Sequence, residues 1–264
     1  MNLLVTICAR AGSKGAKNKN CRFFLGIPLV FYTLAAFSLF YDKKQQHYNS
    51  IDLAVNTDSQ DLINQINMSN IAYHFFERNN DQTGDIIPKI DVIQDTFMRI
   101  SAQQRKEYNV ILDLDLTSPL RAVDDLKGVI DTLMKNTGAD ISFSVTSSRR
   151  SPYFNMVQPT CDGFYEKIIK TDYVARQQAP ICYDMNASIY AYSNNFLTNC
   201  NLIKKSDIKA VAWKMIDTAV LDIDSDEDFE LMEVVSKFFF DKYENYAEID
   251  KKARALFNFR EKRI

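Results

Sequence analysis

The sequence predicts an α/β fold, a Rossmann-like and mostly parallel sheet with helices on both faces, from two observations. Strand and helix periodicities alternate from residue 3 to about residue 134, the signature of successive strand–helix units built around a parallel sheet. The opening apolar run then breaks directly into a loop holding Gly12, Gly15 and the cations Arg10, Lys14, Lys17 and Lys19. In such folds, loops at the carboxyl ends of the strands gather ligands.

Each element follows from local pattern. Leu3, Leu4, Val5, Ile7 and Cys8 suit a strand buried on both faces. Gly26-Ile27-Pro28 reads as a turn with Pro28 fit for a first helical position, and Leu29, Tyr32, Thr33, Ala36, Phe37 and Phe40 continue at helical spacing. A strand is expected at 51–55. Asn56, Thr57, Asp58 and Ser59 then offer caps to a helix carrying Leu62, Ile63 and Ile66. A short strand at 72–76 precedes a loop at 77–85, a helix at 88–100, a very apolar strand at 110–116 and a helix at 122–134. Beyond residue 141 the pieces shorten to 141–145, 164–167 and 188–192, separated by polar loops. Residues 1–235 are read as one domain, within which about 150–200 form a small β-rich excursion that packs on a second subunit. Residues 236–264 are read as a helical, charged extension ending in Arg260 to Arg263, with Phe238, Phe239, Phe240, Tyr243 and Tyr246 expected to pack helices.

A chain of 264 residues with 46% apolar content can bury a full core. A net charge of −2 with locally clustered cations argues against a nucleic-acid binder and for a small anionic partner. Five scattered cysteines without a C-x-x-C and only two histidines argue against an ordinary zinc site or a disulfide framework. Cys8 and Cys182 read as small buried hydrophobes. Arg10 interrupts the apolar start before a secretory h-region is complete, and the apolar stretch at 29–41 is too short to cross a bilayer. A cytoplasmic protein with no membrane partner is expected.

Three blocks carry chemistry. The first, Ala9 to Asn20, is neither a Walker A loop, since Gly15 is followed by Ala16, nor a G-x-G-x-x-G fingerprint, since only its last pair is present. In the second, Asp222 and Asp224 share one face of a strand, as a hard-cation site requires; the competing reading is a helix start, with Ser225 and Asp228 spaced as a capping box. The third, Asp113 to Arg121, again sets two aspartates on one face before a turn at Pro119. Arg121 reads as a structural partner of Asp124 or Asp125.

Ala9-Arg-Ala-Gly-Ser-Lys-Gly15 followed by Lys19-Asn20 resembles the nucleotide loop of the CMP-sialic acid synthetases, the acylneuraminate or nonulosonic acid cytidylyltransferases. Leu114-Asp-Leu-Thr-Ser-Pro-Leu-Arg121 is similar to that family's L-Q-P-T-S-P-L-R, and Arg176-Gln-Gln-Ala-Pro180 with Asn186-Ala-Ser-Ile-Tyr190 to its R-Q-x-x-P and N-G-A-I-Y. Asn56-Thr57-Asp58 and Arg78 with Asp85 are weaker matches. The resemblance implies condensation of CTP with a nine-carbon 2-keto-3-deoxy sugar acid, giving a CMP-sugar and pyrophosphate, in a homodimer.

The resemblance also implies roles. Ala9, Arg10, Gly12, Ser13, Lys14, Lys19, Asn20 and Arg78 contact the nucleotide, with Arg10, Lys14 and Lys19 catalytic in neutralising the leaving pyrophosphate. Magnesium or manganese sits at Asp222 and Asp224, and two acceptors stand open for the hydroxyl's proton, metal-bound hydroxide or an aspartate such as Asp224. Arg176 holds the sugar carboxylate, while Ser118, Asn186 and Tyr190 line the sugar pocket; core packing is the competing reading for Tyr190, and a solvated loop for Arg78. Asp115 replaces the family's glutamine, and an ionised carboxylate there repels a sugar acid unless a metal or an ammonium group intervenes. Metal contact and sugar-hydroxyl contact are both open for it. Asp184-Met185 and Ala187, where Arg-Pro and glycine are usual, leave the sugar undetermined. Two alternatives stand beside this reading: a 3-deoxy-manno-octulosonate cytidylyltransferase-like enzyme, and a non-catalytic nucleotide-binding regulatory module.

Overall fold

Strand β1 (Asn2–Cys8) is apolar on both faces because it lies at the middle of a covered sheet. It runs parallel between β4 (Ser50–Thr57) and β6 (Val110–Leu114), and β5 (His74–Glu77) adds parallel to β4 at one edge. The computed structural model describes residues 1–12, 18–79, 87–216 and 223–258. Ser13, Lys14, Asp85, Asp222 and the Arg260 to Arg263 tail lie outside them.

With β7 (Ile141–Ser147), β10 (Tyr183–Ser193) and β11 (Ala210–Lys214), the sheet has seven strands in the order β11-β7-β10-β6-β1-β4-β5. β10 pairs antiparallel with both β6 and β7, and β11 returns parallel to β7. The strand expected at 188–192 thus begins at Tyr183 and belongs to the central sheet, although it falls inside the span read as an excursion; β11 was not foreseen. Two small ribbons stand apart, β2 (Phe23–Phe24) with β3 (Ile27–Pro28), and β8 (Val157–Pro159) with β9 (Tyr165–Lys167). Around the second ribbon Val157, Phe164, Tyr165, Val174 and Ile181 are exposed.

Alternation along β1 sorts the core into two layers. Leu3, Val5 and Ile7 pack with helices α1 (Val30–Lys44), α2 (Gln60–Asn67), α4 (Val123–Lys135), α6 (Asp226–Lys242) and α7 (Glu244–Phe257). Leu4 and Cys8 pack with α3 (Lys89–Gln104) and α5 (Asn194–Asn199). α1 is buried on nearly every side from Val30 to Phe40, since α7 covers the face turned away from the sheet. Each buried phenylalanine there contributes about 1.5–3 kcal/mol.

Polar contacts stitch α7 onto α1. Lys43 pairs with Glu248 at 2.6 Å, Lys252 with Asp42 at 3.1 Å, and the Tyr32 hydroxyl donates to Asp250 at 3.2 Å. Tyr32 also stacks on Phe240 at 5.6 Å. Phe239, Phe240 and Tyr246 are buried as helix packing requires, whereas Phe238 is exposed. The boundary expected at residue 235 falls inside α6, which runs on into this core.

Candidate functional site

The first residues after β1 are fixed by bonds from their own backbone. Ala9 N–H donates to the Asn56 carbonyl at 3.1 Å, and Ala11 N–H donates to Asp58 Oδ1 at 2.6 Å. Gly12 has φ +68°, left-handed backbone that glycine adopts without a Cβ penalty. The Asn20 amide returns to the Arg10 carbonyl at 3.3 Å. Asp58, read as a helix cap, braces this loop instead, and Ser59 caps α2 by accepting from Leu62 N–H.

Lys19 reaches across to the segment before α6, donating to the Ile223 carbonyl at 2.5 Å and pairing with Asp224 Oδ1 at 2.9 Å. Behind it lies a cleft of about 400 Å³ whose walls include Arg10, Lys19, Asn20, Arg78, Lys89 and Asp115. A smaller hollow of about 210 Å³ continues past Gly12 and Asn18 to the amino end of α2. Arg78 is only 7% exposed, and its Nε has no hydrogen-bond partner among the described residues. Burial lowers its pKa. A buried, unspent guanidinium donor at the edge of a cleft suits an incoming acceptor.

The floor of the cleft is a charged triad. Lys89 Nζ lies 2.7 Å from Asp113 Oδ2 and 2.7 Å from Asp115 Oδ2. Asp113 is fully buried, and its other oxygen accepts from the Thr6 hydroxyl at 2.8 Å. Asp115 Oδ1 accepts from Thr117 N–H at 2.9 Å and from the Thr117 hydroxyl at 2.7 Å. Burial works to raise the Asp115 carboxyl, but the Lys89 ammonium and the Thr117 donors outweigh it and hold the group below the usual carboxylate range. Burial works to lower Lys89, and the two carboxylates outweigh that in turn. The ammonium group that an aspartate at position 115 calls for is therefore Lys89.

Ala9, Arg10, Lys19, Asn20, Arg78, Asp115 and Asp224 all line the larger cleft, and Gly12 lines the adjoining hollow. Other candidates lie elsewhere. Ser118 is buried, and it is Thr117 and Leu116 that line the cleft. Arg121 is fully buried and donates to the backbone carbonyls of Asp115, Ser118 and Ser188, holding the turn after β6 to β10; it was expected to serve Asp124 or Asp125. Asn186 is buried, accepting from the Ser144 hydroxyl at 2.6 Å and donating to Met215 Sδ at 3.2 Å, while its neighbour Ala187 faces the cleft. Tyr190 lies between the rings of Phe143 and Tyr192, each 6.2 Å away.

Arg176 donates to the Ser148 carbonyl at 3.0 Å and lines a separate pocket of about 290 Å³ with Arg150 and Cys182. Cys182 is half-buried there, while Cys8 is buried as expected. Among the described residues no group of three or more His, Cys, Asp or Glu could hold a metal ion. Asp224, 81% exposed, offers oxygen donors at the cleft mouth, and Asp222 lies outside the described residues.

Lys89 escaped sequence reasoning, whereas Thr117 donates at the strand end as its hydroxyl allows. One signal was available: Lys89 opens α3, where a cation opposes the helix dipole unless acids are nearby to hold it.

Comparison with known proteins supplies a family and a fold. The cytidylyltransferase family model matches residues 4–255. The post-translational flagellin modification protein B of Campylobacter coli is 32% identical over 236 residues, 89% of this chain and 95% of that protein. The CMP-N,N'-diacetyllegionaminic acid synthase of Campylobacter jejuni is 32% identical over 235 residues, 88% and 93% of the two chains. An N-acylneuraminate cytidylyltransferase of Streptococcus agalactiae is 25% identical over 246 residues, 91% of this chain and 54% of that one. The solved structure of a CMP:2-keto-3-deoxy-manno-octonic acid synthetase complexed with CTP shares the fold at a TM-score of 0.63 and 13% identity, covering 90% of this chain and 99% of its own. With nearly its whole length matched, the chain belongs to the cytidylyltransferase family.

Proposed function

We propose that the protein joins CMP from CTP to the anomeric hydroxyl of a nine-carbon 2-keto-3-deoxy sugar acid of the legionaminic or neuraminic type, releasing pyrophosphate. The observation that carries this reading is the meeting of Lys19 with Asp224 at the mouth of a cleft that also holds Arg10 and Arg78. The full-length relative named for legionaminic acid supports the choice of sugar.

In the reaction the sugar hydroxyl oxygen bonds to the α-phosphorus while the bond from that phosphorus to the bridging oxygen breaks, and the electron pair leaves with pyrophosphate. Arg10 and Lys19 neutralise the charge that develops on the leaving group. In this reading Asp224, exposed beside Lys19, takes the hydroxyl's proton. An exposed carboxylate is a hard oxygen donor of the kind that suits magnesium or manganese; Asp224, with Asp222, would hold the cation. When bound, the cation supplies Lewis-acid charge to the phosphate oxygens.

A second copy of the chain completes the reading. The exposed apolar residues Val157, Phe164, Tyr165, Val174 and Ile181 suit burial against another subunit. Arg176 rides on the same excursion and lines a pocket other than its own cleft, so its role toward the sugar carboxylate falls to the partner's site. CTP supply puts the enzyme in the cytoplasm.

The test is pyrophosphate release from CTP and Mg²⁺ across a panel of sugar acids. Release with legionaminic or neuraminic acids is expected. Release confined to an eight-carbon acid redirects the specificity, and CTP binding without release from any acid makes the protein a binding module.

A further inference from the structure

Lys89 is a cleft cation held beside two carboxylates, and the proposed function gives it no task. Its ammonium has three N–H bonds; among the described residues it donates one to Asp115 Oδ2 at 2.7 Å and faces Asp113 Oδ2 at 2.7 Å as an ion pair outside hydrogen-bond geometry, so two of the three sides point at these carboxylates. The side chain is 33% exposed and lines the cleft, whereas Asp113 beneath it is fully sealed. The third N–H is available to a ligand. Asp115 offers the complementary half: Oδ1 is filled by two Thr117 donors and Oδ2 holds Lys89, yet the carboxylate is 26% exposed on the cleft side and carboxylate oxygens can each accept more than one bond.

Charge decides what this pair receives. Two carboxylates around one ammonium leave the cluster net negative, so a phosphate or sugar carboxylate gains little there, and Arg10, Lys19 and Arg78 offer better sites for anions. The fixed cation also occupies the space between the two aspartates that a divalent ion would need. What fits a donor and an acceptor 2.7 Å apart is a neutral group that both accepts and donates, as a hydroxyl or an acylamino substituent does. Resting on the function proposed above, we infer that Lys89 and Asp115 are specificity-determining residues that read a neutral hydroxyl or acylamino substituent of the sugar acid, with Asp113 as the positioning residue. The ammonium donor takes over the task that the resemblance assigns to a glutamine.

The experiment compares wild type with Lys89→Met, using initial rates of pyrophosphate release and calorimetric CTP binding. An N-acylated nine-carbon acid and its counterpart bearing hydroxyl in place of acylamino serve as substrates, and the methyl ester of the first as a competitor. A hydrogen bond to a charged group is worth about 1.5–3 kcal/mol, so Lys89→Met is expected to raise the sugar-acid KM by about 10- to 100-fold while the CTP Kd stays within about twofold. A penalty confined to the acylated acid identifies the acylamino group, and an equal penalty on both acids identifies a hydroxyl. The inference is overturned by an unchanged sugar KM, by a matching loss of CTP affinity, or by a penalty that disappears with the ester, since that assigns Lys89 to the carboxylate. Lys89→Met leaves Asp113 buried without its cation, so Lys89→Met/Asp113→Asn is measured alongside and is expected to melt like wild type with the same KM rise. Asp115→Asn is expected to lower kcat/KM at least about fivefold with the acid or acids that Lys89→Met penalises. Wild type inert with every acid removes the functional reading and this inference together; an active wild type matched by Lys89→Met removes only the inference.

Discussion

Lys19 and Asp224 stand 205 positions apart in sequence and 2.9 Å apart in space. This ion pair joins the loop after the first strand to the segment that leads into α6. Asp224 is 81% exposed, and exposed pairs contribute only about 0–1 kcal/mol to stability. Its value lies in placing charge at the cleft mouth.

Replacing Lys19 by Ala therefore separates function from folding. Losing one charge that stabilises the transition state costs on the order of 100-fold or more, so kcat/KM for CMP-sugar formation is expected to fall by about that factor. The melting temperature should stay within about 2 °C of wild type, as checked by thermal denaturation.

Cys8 is chemically silent in the folded protein. Burial first, and Asp113 second, push its thiol up from 9.0 to about 12. At pH 8 its thiolate fraction, and so its alkylation rate, should be roughly a thousandfold below that of an ordinary exposed thiol. Mass spectrometry of iodoacetamide-treated native protein should find Cys161, which is exposed, modified first. A raised pKa also favours the folded state only while the thiol keeps its proton. That contribution is whole below about pH 9 and is lost as pH climbs toward about 12, and Tyr48, likewise pushed up to about 12 by burial, adds to the alkaline decline above about pH 10.

Asp115 acts at the other end of the scale. Its carboxyl is held below the ordinary 3.8, so its contribution is complete above about pH 4 and is lost as the pH drops through its folded-state value. Urea midpoints measured at pH 3 and pH 7 should differ less for Asp115→Asn than for wild type.

Ala187 sits at φ +48° in β10, where the register shifts between Met185 and Tyr190. A side chain in left-handed backbone costs about 1–2 kcal/mol, part of which glycine returns as chain entropy. Ala187→Gly is expected to stabilise the protein by roughly 0.5–1 kcal/mol in urea titrations. The same geometry accounts for the glycine usual at this place in the motif that the block resembles.

Gly128 on α4 faces Trp213 on β11 so closely that an added Cβ would lie 2.3 Å from the indole ring. Overpacking of this kind typically costs about 1–3 kcal/mol. Gly128→Ala should lower the urea midpoint accordingly and change the emission of Trp213, the single tryptophan of the chain.

These residues also show what a sequence discloses. β1, α1 and β6 are legible because burial writes an apolar period directly into the chain. The loop from Ala9 to Asn20 is legible because glycine is scarce elsewhere and cations gather beside it here. The antiparallel entry of β10 is not, because the pattern of a strand says nothing of its direction. Arg121 is legible only in part for a related reason: its role is structural as expected and its charge acts on Asp125, but its guanidinium also answers to carbonyls of Asp115, Ser118 and Ser188 that only the fold assembles. Lys89 was hidden by its place at a helix start, since its partners come from a different strand.

The clasp of α7 on α1 has a consequence in time. During synthesis α1 leaves the ribosome with an apolar face that its cover reaches only some 205 residues later, as the pairing of Lys43 with Glu248 shows. At about 5–20 residues per second, that interval is roughly 10–40 s. Throughout it the nascent chain shows Phe31 and its neighbours to the surrounding medium, so this helix is a segment that a chaperone would cover.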